Sequence, residues 1–150
     1  MSIKKFNYFT VLIKNINISI NIIEILILFS LFCKFCFFFF TFRTLMLWGH
    51  HFSFHLILSG KWKTQYQDRL LDKALQLPAG TRFCIHPTPW EWEDQPEGYL
   101  LPEEIQNHRE SLLNQPFIKL SYFFPLRNWE LLVDTGLHIW EQWASFVFRP

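Results

Sequence analysis

An apolar run near the N-terminus constrains this chain more than any other feature. Between positions 23 and 42, fourteen of twenty residues are large and apolar. A helix of about twenty such residues crosses a lipid bilayer. Lys34, near the middle, costs roughly 3 kcal/mol on an insertion scale, while each Leu, Ile or Phe contributes about 0.3 to 0.6 kcal/mol in favour. The run predicts a membrane-spanning helix within residues 22–48. An uncleaved anchor is favoured because no small-residue cleavage site follows the run.

The composition of residues 1–42 supports a second interpretation. This segment lacks Gly, Pro, Ala, Asp, Gln, His, Arg and Trp, and it contains ten Phe and nine Ile. Such bias is of the low-complexity kind. Because its main residues share codons rich in A and T, the segment is also consistent with translated upstream DNA. The protein would then begin near Met46 and lack the apolar run, as a truncated or mis-started form of a larger domain.

The chain changes character after this segment. Residues 60–150 carry all eight prolines, six of the seven tryptophans and a mixture of charges. We therefore expect four segments: a low-complexity start, a hydrophobic helix, a linker, and a small α+β domain or domain fragment. Their respective bounds are 1–21, 22–48, 49–61 and 62–150.

Five elements are predicted in the last segment. Residues 62–76 show apolar positions at helical spacing, residues 102–114 begin with Pro at a favoured first helical position, and residues 129–144 carry a long apolar stripe. Residues 81–86 and 117–124 have the alternation and aromatic content of short strands. The predicted fold class is α+β, mainly helical, with an N-terminal hydrophobic helix followed by three helices and two short strands.

Gly136 falls on the apolar side of the last predicted helix. Glycine costs about 1 kcal/mol relative to alanine inside a helix. Its place in the stripe indicates that another element approaches the helix closely there.

Charge and cysteine content exclude several classes of protein. The formal net charge is only +1, and no basic stripe predicts a nucleic-acid partner. The three cysteines, Cys33, Cys36 and Cys84, show no regular disulfide framework. No cofactor motif is present. A membrane is an expected partner if residues 22–42 are translated, with single-pass membrane localisation; a cytoplasmic location is the alternative.

Two groups of residues are candidates for chemistry. Cys84 and His86 lie on one side of the predicted strand and Glu91 follows in the next loop, so they have the residue types of an activated thiol. His51 and His55 are four residues apart, a spacing that would bring them together on a helix and hold a metal. The helical zinc signature also needs Glu after the first His, and Phe52 stands there.

Tryptophans are the candidates for binding. Trp90 and Trp92 lie in the Pro-rich loop at residues 87–98, where they either anchor the loop or contact a partner. Trp129 and Trp140 belong to the last helical stripe. The leading functional hypothesis is a small membrane-anchored protein that binds another protein and is not an enzyme. A Cys/His-dependent enzyme is the remaining alternative.

Overall fold

A five-stranded antiparallel sheet organises the protein. The computed structural model describes residues 40–47 and 50–148. The strand order is β1-β2-β5-β3-β4. The strands are β1 (Phe40–Leu47), β2 (His51–Ser59), β3 (Arg82–Cys84), β4 (Tyr99–Leu100) and β5 (Phe117–Pro125). The α-helices are α1 (Lys61–Asp72), α2 (Ile105–Asn114) and α3 (Leu132–Phe148). Short 3₁₀ turns occupy Ala74–Gln76, Pro96–Gly98, Pro102–Glu104 and Leu126–Leu131.

Strand β2, which lies between β1 and β5, is apolar on one face and mostly polar on the other. Successive strand residues point to opposite faces of a sheet. On one face of β2 lie Phe52, Phe54, Leu56 and Leu58; on the other lie Ser53, His55, Ile57 and Ser59. All eight are buried, so both faces of β2 are covered.

Helices cover the apolar face. Leu70 and Leu71 of α1 and Ile139, Trp143 and Val147 of α3 join the β2 side chains in one buried cluster. The Trp143 indole N–H donates to the Thr81 hydroxyl at 3.2 Å, so this buried polar group has a partner. Burial of these side chains is the main source of stability on this side of the sheet.

Residues 87–98, which we call the strap, cover part of the polar face. The strap connects β3 to β4 and contains three prolines and one glycine. Trp92 of the strap lies against the ring of His55, with ring centroids 4.9 Å apart. The two faces of the sheet are therefore covered by different means, helices on one and an irregular segment on the other.

The predicted fold class was wrong in its balance of helices and strands. Three helices are present as predicted, but the sheet has five strands rather than two. Phe40–Leu47, assigned to the hydrophobic helix at 22–48, forms β1. Most of the segment assigned to a linker, 49–61, forms the interior strand β2. Residues 1–39, with the rest of the expected anchor, lie outside the described residues.

Individual elements in the second half agree better with the predictions. The helices expected at 62–76 and 102–114 correspond to α1 and α2 with their adjoining 3₁₀ turns, and the strand expected at 117–124 is β5. Across the described part of the chain, no helix combines the length and apolar character needed to cross a bilayer.

The last helix begins later than expected. Residues Leu126–Leu131 form a 3₁₀ segment with a kink at Asn128, and α3 starts at Leu132. The buried positions are Gly136, Ile139, Trp143 and Val147 rather than a stripe that starts at Trp129. The close approach predicted at Gly136 is confirmed, because a Cβ atom there would lie 2.6 Å from Phe54 Cε1.

We expect Gly136→Ala to lower the free energy of unfolding. Overpacking costs roughly 1 to 3 kcal/mol, whereas the gain in helix propensity is about 1 kcal/mol. Gly136→Val, which is larger and a poorer helix former than Ala, should cost more. Urea denaturation measures the effect, with Gln142→Ala on the exposed side of α3 as the control. A more stable Gly136→Ala variant would contradict the close contact.

Candidate functional site

The polar face of the sheet gathers titratable side chains from neighbouring strands. Antiparallel register places Arg43 opposite His55, His55 opposite Ser121, and Ser121 opposite Arg82. Directly paired residues share a face, so these four form one row across β1, β2, β5 and β3. Lys119 lies on the same face of β5, two residues before Ser121.

His55 is the centre of a buried hydrogen-bond network. Its Nδ1 lies 2.9 Å from Ser121 Oγ, and its Nε2 lies 2.8 Å from Ser53 Oγ. Burial lowers the pKa of His55 well below its usual value, and the positive charge of Lys119 lowers it further. The imidazole is therefore neutral at pH 7, with one ring nitrogen donating and the other accepting.

Lys119 connects the sheet to the strap. Its side chain is buried, with only 1% exposed. Its Nζ donates to the carbonyl of Pro89 at 3.1 Å and to the carbonyl of Glu91. The ammonium also lies 4.1 Å from the ring centroid of Trp92, a cation–π contact. Burial lowers the pKa of Lys119 to about 8, so the charged form is held at neutral pH at a cost in desolvation.

The acidic side chains of the strap lie next to this basic face. The Asp94 carboxylate forms an ion pair with Arg82. The Glu91 carboxylate instead accepts from the backbone N–H of Trp92 at 3.1 Å, and its main-chain carbonyl accepts from the hydroxyl of Tyr99 at 3.4 Å. The strap therefore attaches to the sheet through carbonyl oxygens and one carboxylate.

Trp90 and Trp92 have different roles in the strap. Trp92 is half-buried between His55 and Lys119 and anchors the segment. Trp90 is 48% exposed. The guanidinium carbon of Arg43 lies 4.9 Å from the Trp90 ring centroid, and the ring of Trp92 lies 6.0 Å away. Trp90 is thus an exposed ring that packs against Arg43 and Trp92.

The structure does not assemble the candidate catalytic residues into a triad. Cys84 is buried in β3, and burial raises the pKa of its thiol, which opposes thiolate formation. The ring of His86 packs against Tyr99 at 5.9 Å and against Gly98, while the Glu91 carboxylate caps strap amides. Their catalytic role stays a prediction from residue type, and this environment does not favour it.

The candidate metal pair depended on a helix that is not formed. His51 and His55 lie on strand β2, where four residues span about 13 Å. The two histidines share a face of the sheet, but this separation does not give the close pairing of rings that a helix would have provided for a metal ion. Among residues 40–47 and 50–148, no group of three or more His, Cys, Asp and Glu side chains is placed to hold a metal ion.

Sequence reasoning missed Lys119, although a signal was present. In the β5 sequence "FIKLSYFF", Lys119 and Ser121 alternate with Ile118 and Leu120. The alternation assigns Lys119 and Ser121 to one face of the strand, and both are buried in the structure.

No protein-family model, curated protein or solved structure matches the chain.

We expect His55 to make the protein acid-sensitive. Its folded pKa lies below the unfolded value of 6.5, so below pH 6.5 the unfolded chain binds a proton that the folded protein does not. Stability is then lost as pH falls, by up to about 1.4 kcal/mol per pH unit.

Urea denaturation at pH 7.0 and 5.5 measures this loss. The wild-type protein should lose about 1 kcal/mol more than His55→Gln over this interval. The exposed His108 supplies the control variant, His108→Gln, which should keep the wild-type slope. An unchanged slope in His55→Gln would show that His55 is not the acid-sensitive group.

Proposed function

We propose that this protein is a protein-binding module that presents Trp90 to its partner. The observation that carries the proposal is the combination of an exposed ring with a fixed support. Exposed tryptophans are enriched among the residues that dominate binding energy at interfaces. The expected membrane anchor, residues 22–48, forms no part of this proposal, because Phe40–Leu47 is strand β1 and residues 22–39 lie outside the described residues.

Preorganisation of the strap favours this role. Lys119 and Tyr99 hold the strap carbonyls, and Trp92 fills the space above His55. A loop already ordered in its bound conformation loses less conformational entropy on association. Trp90 can therefore contribute to affinity without a large ordering cost.

The surroundings of Trp90 define the chemistry of the partner. Beyond the ring, the strap exposes Glu93, Asp94 and Glu97. An apolar pocket that accepts the indole, flanked by Lys or Arg, would complement this surface. We therefore expect a partner with a basic rim around an apolar pocket, and an association rate that falls as salt increases.

The other candidate tryptophans fit this role less well. Trp140 packs against Phe40 and Phe42, at centroid distances of 6.1 and 4.9 Å, and so contributes to the core. Trp129 is 65% exposed on the kinked 3₁₀ segment. It lacks the cationic support found beneath Trp90 in the described structure, which makes it a matched comparison rather than the preferred anchor.

Site-specific photo-crosslinking tests the proposal. Benzoylphenylalanine in place of the exposed strap residue Glu93, which leaves Trp90 intact, should give a discrete cross-linked partner in lysate of the source cells. The same probe in place of exposed Gln65 on α1 should not. Unlabelled wild-type protein and Trp129→Ala should compete for this partner. Trp90→Ala should compete at least ~30-fold less well, as expected for a central anchor worth about 2 kcal/mol.

Two results would contradict the proposal. One is equal competition by Trp90→Ala and wild-type protein. The other is a cross-linked partner whose contact region is acidic, because the acidic strap would repel it.

A further inference from the structure

We propose that the basic sheet face beneath the strap is a binding site for a small phosphate-bearing molecule, and that the strap competes with this ligand for the same cations. This inference goes beyond the partner of Trp90, and a ligand that lifts the strap would also displace Trp90. The inference rests on the cations of three strands, on the burial of Lys119, and on the chemistry of the strap.

Cations from three strands lie on one face of the sheet. Arg43 on β1 and Arg82 on β3 belong to the row that contains His55, and Lys119 on β5 lies beside that row. Lys119 and Arg82 lie on adjacent strands about 4.8 Å apart and can both reach one small anion, whereas Arg43 lies three strand spacings, about 14 Å, from Arg82. Guanidinium forks and a lysine ammonium together match the oxygen geometry of phosphate.

The hydrogen bonds of the buried Lys119 ammonium go to main-chain carbonyls rather than to a carboxylate. The ion pairs of Arg82 with Asp94 and of Arg109 with Asp68 and Asp72 do not include Lys119. Buried charges in proteins are generally paired or bound to ions. The Pro89 and Glu91 carbonyls satisfy hydrogen bonds of the ammonium but provide only partial negative charge. A phosphate oxygen would supply a counter-charge in direct contact, because burial lowers the pKa of Lys119 by more than the nearby Glu91 carboxylate raises it.

The strap provides the same kind of ligand atoms that a phosphate would provide. It offers two carbonyl oxygens to Lys119 and the Asp94 carboxylate to Arg82. Most strap residues are exposed, and the strap contains no regular structure apart from the 3₁₀ turn at Pro96–Gly98. Segments with these properties open at a lower free-energy cost than the core. Lifting the strap would expose Lys119 and Arg82 together.

Calorimetric titration of the full chain with sodium pyrophosphate, at ionic strength fixed with NaCl, tests this competition. The wild-type protein should show saturable binding. Asp94→Asn should bind pyrophosphate at least threefold more tightly, because it removes the carboxylate that competes for Arg82. Lys119→Met should bind at least tenfold more weakly. Lys73→Met, which removes an exposed lysine after α1, is the control and should match wild type.

The surface variant Asp94→Asn keeps the test decisive even if Lys119→Met fails to fold. No saturable binding in either wild type or Asp94→Asn would overturn the site. Equal affinities of these two proteins would overturn competition by the strap. An equal loss of binding in Lys73→Met and Lys119→Met would show general attraction to a cationic protein rather than this site.

Discussion

The polar face of the sheet and the strap that covers it depend on the hydrogen bonds of the Lys119 ammonium, which is buried between them. Lys119 lies on a strand whose opposite face is apolar apart from the Tyr122 hydroxyl, so its position follows from the alternation of β5. Its hydrogen bonds to Pro89 and Glu91 set where the strap crosses the sheet. That crossing places Trp92 over His55 and leaves Trp90 exposed. The candidate binding surface is thus a consequence of one charged group inside the protein.

Much of the helical part of the fold could be predicted from sequence, because its signals are local. The spacing of apolar residues located α1, and Pro102 at a favoured first helical position located α2. The position of Gly136 in the apolar stripe correctly indicated close contact with another element. The strands β1 and β2 were missed for a physical reason. Strand pairing joins residues far apart in sequence, and the alternation in "HFSFHLIL" is hidden because buried His and Ser occupy the second face.

The candidate site was predictable only in part. The two strap tryptophans were identified from their loop, and the alternative that they hold the loop down fits the position of Trp92. Their division into one anchor and one exposed ring depends on Lys119 and Arg43, which come from distant strands. Likewise, the metal hypothesis for His51 and His55 and the catalytic hypothesis for Cys84 were based on spacing. Strand geometry separates His51 from His55, and burial raises the pKa of the Cys84 thiol.

Hydrogen exchange of the strap amides in Lys119→Met would test the central claim most directly. If the ammonium holds the strap, amides within residues 87–98 should exchange at least ~10-fold faster in this variant than in wild type, because two strap carbonyls lose their donor. Amides of α1 should be unchanged, and Lys73→Met should match wild type at every position. Unchanged exchange in the strap of Lys119→Met would show that its position does not depend on Lys119 and would contradict the account.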